Sequence, residues 1–125
     1  MKAIATQNAP AAIGPYSQAI QAGNTVYVSG QLGIDPSNGN FAEGGTDAQA
    51  RQSLTNISNI LKEAGLSMKN VVKVTVLLAD INDFAAVNEI YKDFFEAPFP
   101  ARSAFAVAAL PKGGKIEIEA IAVSD

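Results

Sequence analysis

Apolar residues fall into two rhythms along this chain, and the alternation between them lays out its elements. Ala50, Leu54, Ile57, Leu61 and Ala64 recur at helical spacing ahead of Gly65, which predicts a helix opened by the Thr-x-x-Gln capping box of Thr46 to Gln49. A second stripe, Phe84, Val87, Ile90, Tyr91 and Phe94, runs up to Pro98 and Pro100, with Asp80 or Asn82 placed to cap it. Elsewhere the chain reads as strand. Ala3 to Thr6 is a short strand, and Ser17 to Ala22 and Thr25 to Gly30 flank Gly23-Asn24, a two-residue hairpin signal. Val71 to Leu78 is β-branched and nearly all apolar, which predicts a central strand buried on both faces. Ala101 to Ala109 and Lys115 to Val123 form the last two strands, joined by Leu110-Pro111-Lys112-Gly113-Gly114. In the final one Ile116, Ile118, Ala120 and Ala122 make one face purely apolar. Asn8 to Tyr16, with two prolines and no period, and Asp35 to Asn40, dense in turn formers, are loops.

Two helices cover only one side of a sheet this wide, and crossovers that share a hand place both on the same side. The other side of the sheet still carries apolar residues. Self-association covers such a face. Composition agrees, for 125 residues make one domain, residues 1–125, and 48% are apolar while only 17% are charged. That surface is lean in charge, yet no apolar run approaches the ~20 residues of a membrane helix, so the surplus hydrophobicity belongs at subunit contacts. No membrane partner is expected. Met1 to Gln7 is too short and too polar for a signal peptide, and a cytoplasmic location follows as the default.

Two absences narrow the chemistry. There is no cysteine and no histidine, which removes thiol nucleophiles, disulfides, Ser-His-Asp catalysis and the usual zinc sites. With a net charge of −3 and nine scattered Lys and Arg residues, the chain offers no footprint for a phosphate backbone, and no nucleic acid is expected. Carboxylates, arginine, lysine, hydroxyls and backbone groups remain. Arg102 enters a small, apolar stretch otherwise suited to burial, at the strand mouth set by Pro98 and Pro100, and a charge there needs a partner. The partner is either a ligand or Glu117, the latter making an ion pair between strands.

Six fragments then carry a resemblance. Gly14-Pro15-Tyr16-Ser17-Gln18, Ser29-Gly30-Gln31, Gln49-Ala50-Arg51-Gln52, Asn82-Asp83-Phe84 with Val87-Asn88-Glu89-Ile90-Tyr91, Pro100-Ala101-Arg102-Ser103 and Ile116-Glu117-Ile118-Glu119-Ala120 together resemble the RidA/YjgF family, in order along nearly the whole chain. The resemblance implies a chorismate-mutase-like α+β fold, a mixed sheet with two helices packed on one face, a homotrimer with ligand clefts between subunits, and no metal or cofactor. It implies a 2-iminobutanoate/2-iminopropanoate deaminase, which hydrolyses reactive enamines and imines released by pyridoxal-phosphate enzymes to 2-keto acids and ammonia. Arg102 matches the arginine that holds the substrate carboxylate, and Glu117 the acid that activates water. Tyr16, Ser29 and Asn88 fall on positions lining the cleft, and Gly30 matches a glycine whose backbone N–H faces the ligand. Ala104 stands where relatives often have cysteine: a contribution through the backbone there leaves the activity intact, whereas a thiol that tunes the pocket makes substrate preference the property that changes. Glu96 to Phe99 looks shorter than in many relatives. A different class of function, a non-catalytic regulatory module that binds small keto or amino acids, uses the same cleft.

Overall fold

A computed structural model describes residues 1–125. Strands β1 (Lys2–Ile4), β2 (Ala19–Ala22) and β3 (Thr25–Leu32) precede helix α1 (Gly45–Glu63). Strand β4 (Val71–Leu78), helix α2 (Phe84–Tyr91), and strands β5 (Ala101–Ala106) and β6 (Ile116–Val123) follow. One six-stranded sheet results, in the order β1-β2-β3-β6-β4-β5. All neighbours are antiparallel except β4 and β5, whose parallel pairing requires the crossover that α2 supplies.

Both helices lie on one face. Leu54, Ile57, Ile60 and Leu61 of α1 and Val87 and Tyr91 of α2 share a single core cluster with Val26, Val74, Val76, Leu78, Ile116 and Ile118 of the sheet. Strand β6 alternates as its sequence predicts, with Ile116, Ile118, Ala120 and Ala122 buried and Glu117 and Glu119 turned to the open face. Fully burying a Leu or Ile contributes roughly 1.5–3 kcal/mol. This row therefore anchors the sheet to its helices.

Three expectations need correction. Strand β4 is not buried on both faces: Val74, Val76 and Leu78 are buried, but Lys73, Thr75 and Leu77 are half-buried and Val72 is 47% exposed. Helices cover one side only, so an apolar sequence leaves apolar residues on the other. Strand β5 stops at Ala106 and is largely exposed, Phe105 at 47%, because it is an edge strand with one neighbour. The capping box does not form. Helix α1 starts at Gly45 after Gly44, whose φ of 121° suits glycine. The Thr46 hydroxyl instead donates to Asp83 Oδ2 at 2.8 Å, and Gln49 Oε1 accepts the Lys115 N–H at 2.9 Å. Both side chains tie the helix to neighbouring elements rather than to its own first turn. Asp80 caps a short 3₁₀ turn, Ile81–Asp83, by accepting the Asn82 N–H at 2.9 Å, and α2 grows from that turn.

Candidate active site

The predicted site residues gather at two places. The first is built on β6 and β3, where period-two alternation sets Glu117 and Glu119 side by side on the open face. Pairing of β3 with β6 runs from Val28 opposite Ala120 to Gln31 opposite Ile118, so Ser29 and Gly30 together face one residue and form a β-bulge. The bulge presses Gly30 against Glu117. A Cβ at position 30 would overlap the Glu117 carboxylate, lying 2.9 Å from its Cδ even where Oε2 is ignored, so only glycine allows this approach.

Helix α1 holds the bulged strand from behind. Ser53 donates to the Gln31 carbonyl at 2.6 Å, and Asn56 Nδ2 to the Ile34 carbonyl at 3.0 Å. On the outer side buried Gln18 clamps the loop that leads to Tyr16, accepting the Thr6 N–H at 2.7 Å and donating to the Pro10 carbonyl at 2.8 Å. Tyr16, Ser29, Gly30, Lys112, Glu117 and Glu119 thereby line a groove of about 800 Å³. Ser29 spends its hydroxyl proton on the Ser17 carbonyl at 2.6 Å. It can face a ligand only as an acceptor.

Half-burial pushes the Glu117 carboxyl above its ordinary value, and the negative charge of Glu119 pushes it the same way. A carboxylate raised toward neutrality beside a groove is suited to accepting a proton from water.

The second place lies on β5 and α2. Arg102 sits opposite Val74, on the helix-covered face, and its Nη1 donates to Asn88 Oδ1 at 2.8 Å. Its guanidinium carbon lies 4.7 Å from the Tyr91 ring centroid and 5.2 Å from that of Phe84. Asn88, Tyr91, Phe99 and Arg102 line a groove of about 620 Å³. Ala104, two residues along β5, is half-buried against the core on the Arg102 face and lines neither groove.

Arg102 and Glu117 therefore do not pair. Arg102 is aligned with Val74, whereas Glu117 is aligned with Leu77, three residues further along β4. An odd separation on a strand means opposite faces. The chain's ion pairs are Arg51–Asp93, Lys69–Glu96 and Lys92–Glu89, and none involves either residue. Residues 84 and 91, read from the sequence only as a core stripe, also touch the Arg102 guanidinium. Nothing local in the chain links positions 91 and 102.

Comparison with known proteins settles the lineage. The family model described as Endoribonuclease L-PSP matches residues 6–124. This chain belongs to that family, the RidA/YjgF proteins. A family member from the goat, Capra hircus, named 2-iminobutanoate/2-iminopropanoate deaminase, is 63% identical over 120 residues, covering 96% of this chain and 88% of that one. The crystal structure of RidA from an Antarctic Psychrobacter species superposes with a TM-score of 0.96 at 51% identity, covering 99% of this chain and 100% of the other. Another family structure, E. coli TdcF with bound serine, matches at 48% identity and a TM-score of 0.96 over 100% of both chains. The α+β architecture is thus the family's own.

Proposed function

We propose that this chain is a 2-iminobutanoate/2-iminopropanoate deaminase that hydrolyses reactive enamine and imine intermediates to 2-keto acids and ammonia. The observation that carries the reading is 59–63% identity, over 96–98% of the chain, to five mammalian relatives of that name. The residues supply a consistent chemistry. Arg102 binds the substrate carboxylate through charge-assisted hydrogen bonds, with Asn88 beside it. Glu117 takes a proton from water as the water oxygen bonds to the carbon of the protonated imine, returns that proton to nitrogen, and takes the remaining hydroxyl proton as the C–N bond breaks, the C=O bond of the keto acid forms and ammonia leaves. The Gly30 N–H faces the ligand, Tyr16 and Ser29 complete the wall, and the backbone at Ala104 supports the arginine side. The reaction as written needs neither metal nor cofactor.

One substrate meets both Arg102 and Glu117 only if two copies contribute. Residues 1–125 are read as one domain acting in a homotrimer, with each cleft between subunits. Apolar residues on the open face favour that assembly, Tyr27 at 50% and Phe105 at 47% exposure among them. No helix is long and apolar enough to cross a membrane, and a cytoplasmic location fits the reading.

A second reading, a non-catalytic module for keto or amino acids, is favoured by the serine bound to TdcF. The ribonuclease activity in the family description is not proposed, since an acidic chain without histidine offers neither a phosphate footprint nor the usual acid–base pair. Turnover decides between the two. Purified protein added to a dehydratase that releases 2-iminobutanoate speeds keto-acid formation if the first reading holds. Calorimetric binding of 2-ketobutanoate without any acceleration establishes the second.

A further inference from the structure

We propose that Phe84 and Tyr91 are positioning residues for Arg102, forming with Asn88 an uncharged cradle that aims the guanidinium without neutralising it. The inference rests on the reading of Arg102 as the carboxylate-binding group. Residues 84, 88 and 91 stand at i, i+4 and i+7 on α2, and so share one helix stripe. All three reach the same guanidinium, two through ring faces at 5.2 and 4.7 Å and one through a 2.8 Å hydrogen bond. Of arginine's five N–H donors, that bond to Asn88 is the one a side chain of this protein takes. The remaining donors and the full positive charge are left for a ligand.

A carboxylate at position 88 would hold the arginine more firmly, but it would take two donors and cancel the charge the substrate needs. Ring faces attract a cation while leaving its edge free. The two acidic groups adjacent in sequence to this stripe are engaged elsewhere, Asp83 by the Thr46 hydroxyl at 2.8 Å and Glu89 by Lys92 at 3.0 Å. Asn88 gives its oxygen to Arg102, so its amide N–H donors are what it retains for the groove. An arginine edge beside amide donors is a surface made of donors alone, which suits the acceptor oxygens of a carboxylate.

Tyr91 indicates which part of the cradle acts. It is 6% exposed, and its hydroxyl is the one buried side-chain polar atom with no hydrogen-bond partner. That hydroxyl makes no hydrogen bond within the chain, and what Tyr91 presents to Arg102 is its ring face.

The test uses steady-state kinetics with 2-iminobutanoate generated in situ, alongside calorimetric titration of 2-ketobutanoate. Tyr91→Leu is expected to raise KM and the 2-ketobutanoate Kd by about tenfold, with kcat within about twofold of wild type. Phe84→Leu moves both the same way by a smaller factor, since its ring lies farther from the guanidinium, and it reports even if Tyr91→Leu does not fold. Tyr91→Phe restores wild-type KM. Unchanged KM and Kd in both leucine variants overturns the cradle, as does a fall in kcat alone, and a Tyr91→Phe variant that binds as poorly as Tyr91→Leu transfers the role to the hydroxyl and also overturns it. Arg102→Ala separates this from the underlying reading. If it binds normally, the carboxylate assignment itself fails; if it loses binding while the leucine variants keep it, only the cradle fails.

Discussion

The two grooves treat their charged residues in opposite ways. At the β3–β6 groove the surroundings work against the charge, since burial and Glu119 both push the Glu117 carboxyl up. At the β5–α2 groove two aromatic faces and an amide favour the charge of Arg102 and leave it unpaired. The contrast matches what the proposed reaction asks of each group. A proton acceptor must be able to change its charge near neutral pH, whereas a carboxylate anchor must never lose its own. The backbone differs accordingly. Glu117 depends on a bulged neighbour strand with a glycine at the point of contact, while Arg102 stands on a regular parallel strand beside a helix.

The strongest challenge to this division is Arg102→Ala, which removes the anchor and is expected to abolish acceleration of keto-acid release in the coupled dehydratase assay. Next comes Glu117→Gln, with an expected rate loss of about 10²–10⁴-fold and retained 2-ketobutanoate binding. An equal rate in that variant takes Glu117 out of the mechanism. Mixing these two inactive variants under conditions of subunit exchange is expected to regain part of the activity, because hybrid oligomers combine an intact Arg102 from one copy with an intact Glu117 from another. No recovery breaks the proposal that the two grooves face each other across an interface.

Smaller effects sharpen the same contrast. Gly30→Ala forces the Glu117 carboxylate aside and is expected to lower kcat by about tenfold or more, measured against an unchanged circular dichroism spectrum. The rate-versus-pH profile rises as Glu117 deprotonates, with its midpoint above the ordinary 4.5, and Glu119→Gln moves that midpoint down by removing the like charge. Stability runs the other way. A carboxyl whose folded pKa is raised contributes stability that is complete below its unfolded pKa and lost as pH rises through the folded one. At neutral pH Glu117→Gln is therefore expected to melt no lower than wild type. A Tm deficit of the Gln variant that grows as pH rises contradicts the raised pKa.

Much of this was legible along the chain, though unevenly. The stripes at Leu54, Ile57 and Leu61 and the alternation at Ile116 to Ala122 are local repeats that one buried face imposes on its own element, so helices and strands could be read directly. The Thr46–Gln49 box misled because a capping pattern records what two side chains can do for a helix end. In the fold both found partners on other elements. The choice for Arg102 between Glu117 and a ligand also had no local answer, since it turns on which face each strand presents.

Residue order alone determined the catalogue of available chemistry, the two helices, the strands and the fragments that mark the family, because each depends on composition or on near neighbours. Tertiary structure decided that Arg102 and Glu117 stand on opposite faces of one sheet, that Gly30 is pressed against a carboxylate, and that two core-stripe aromatics also hold a cation. Those facts arise from register and crossover, which bring together residues far apart in the chain and leave no trace in any short window of sequence.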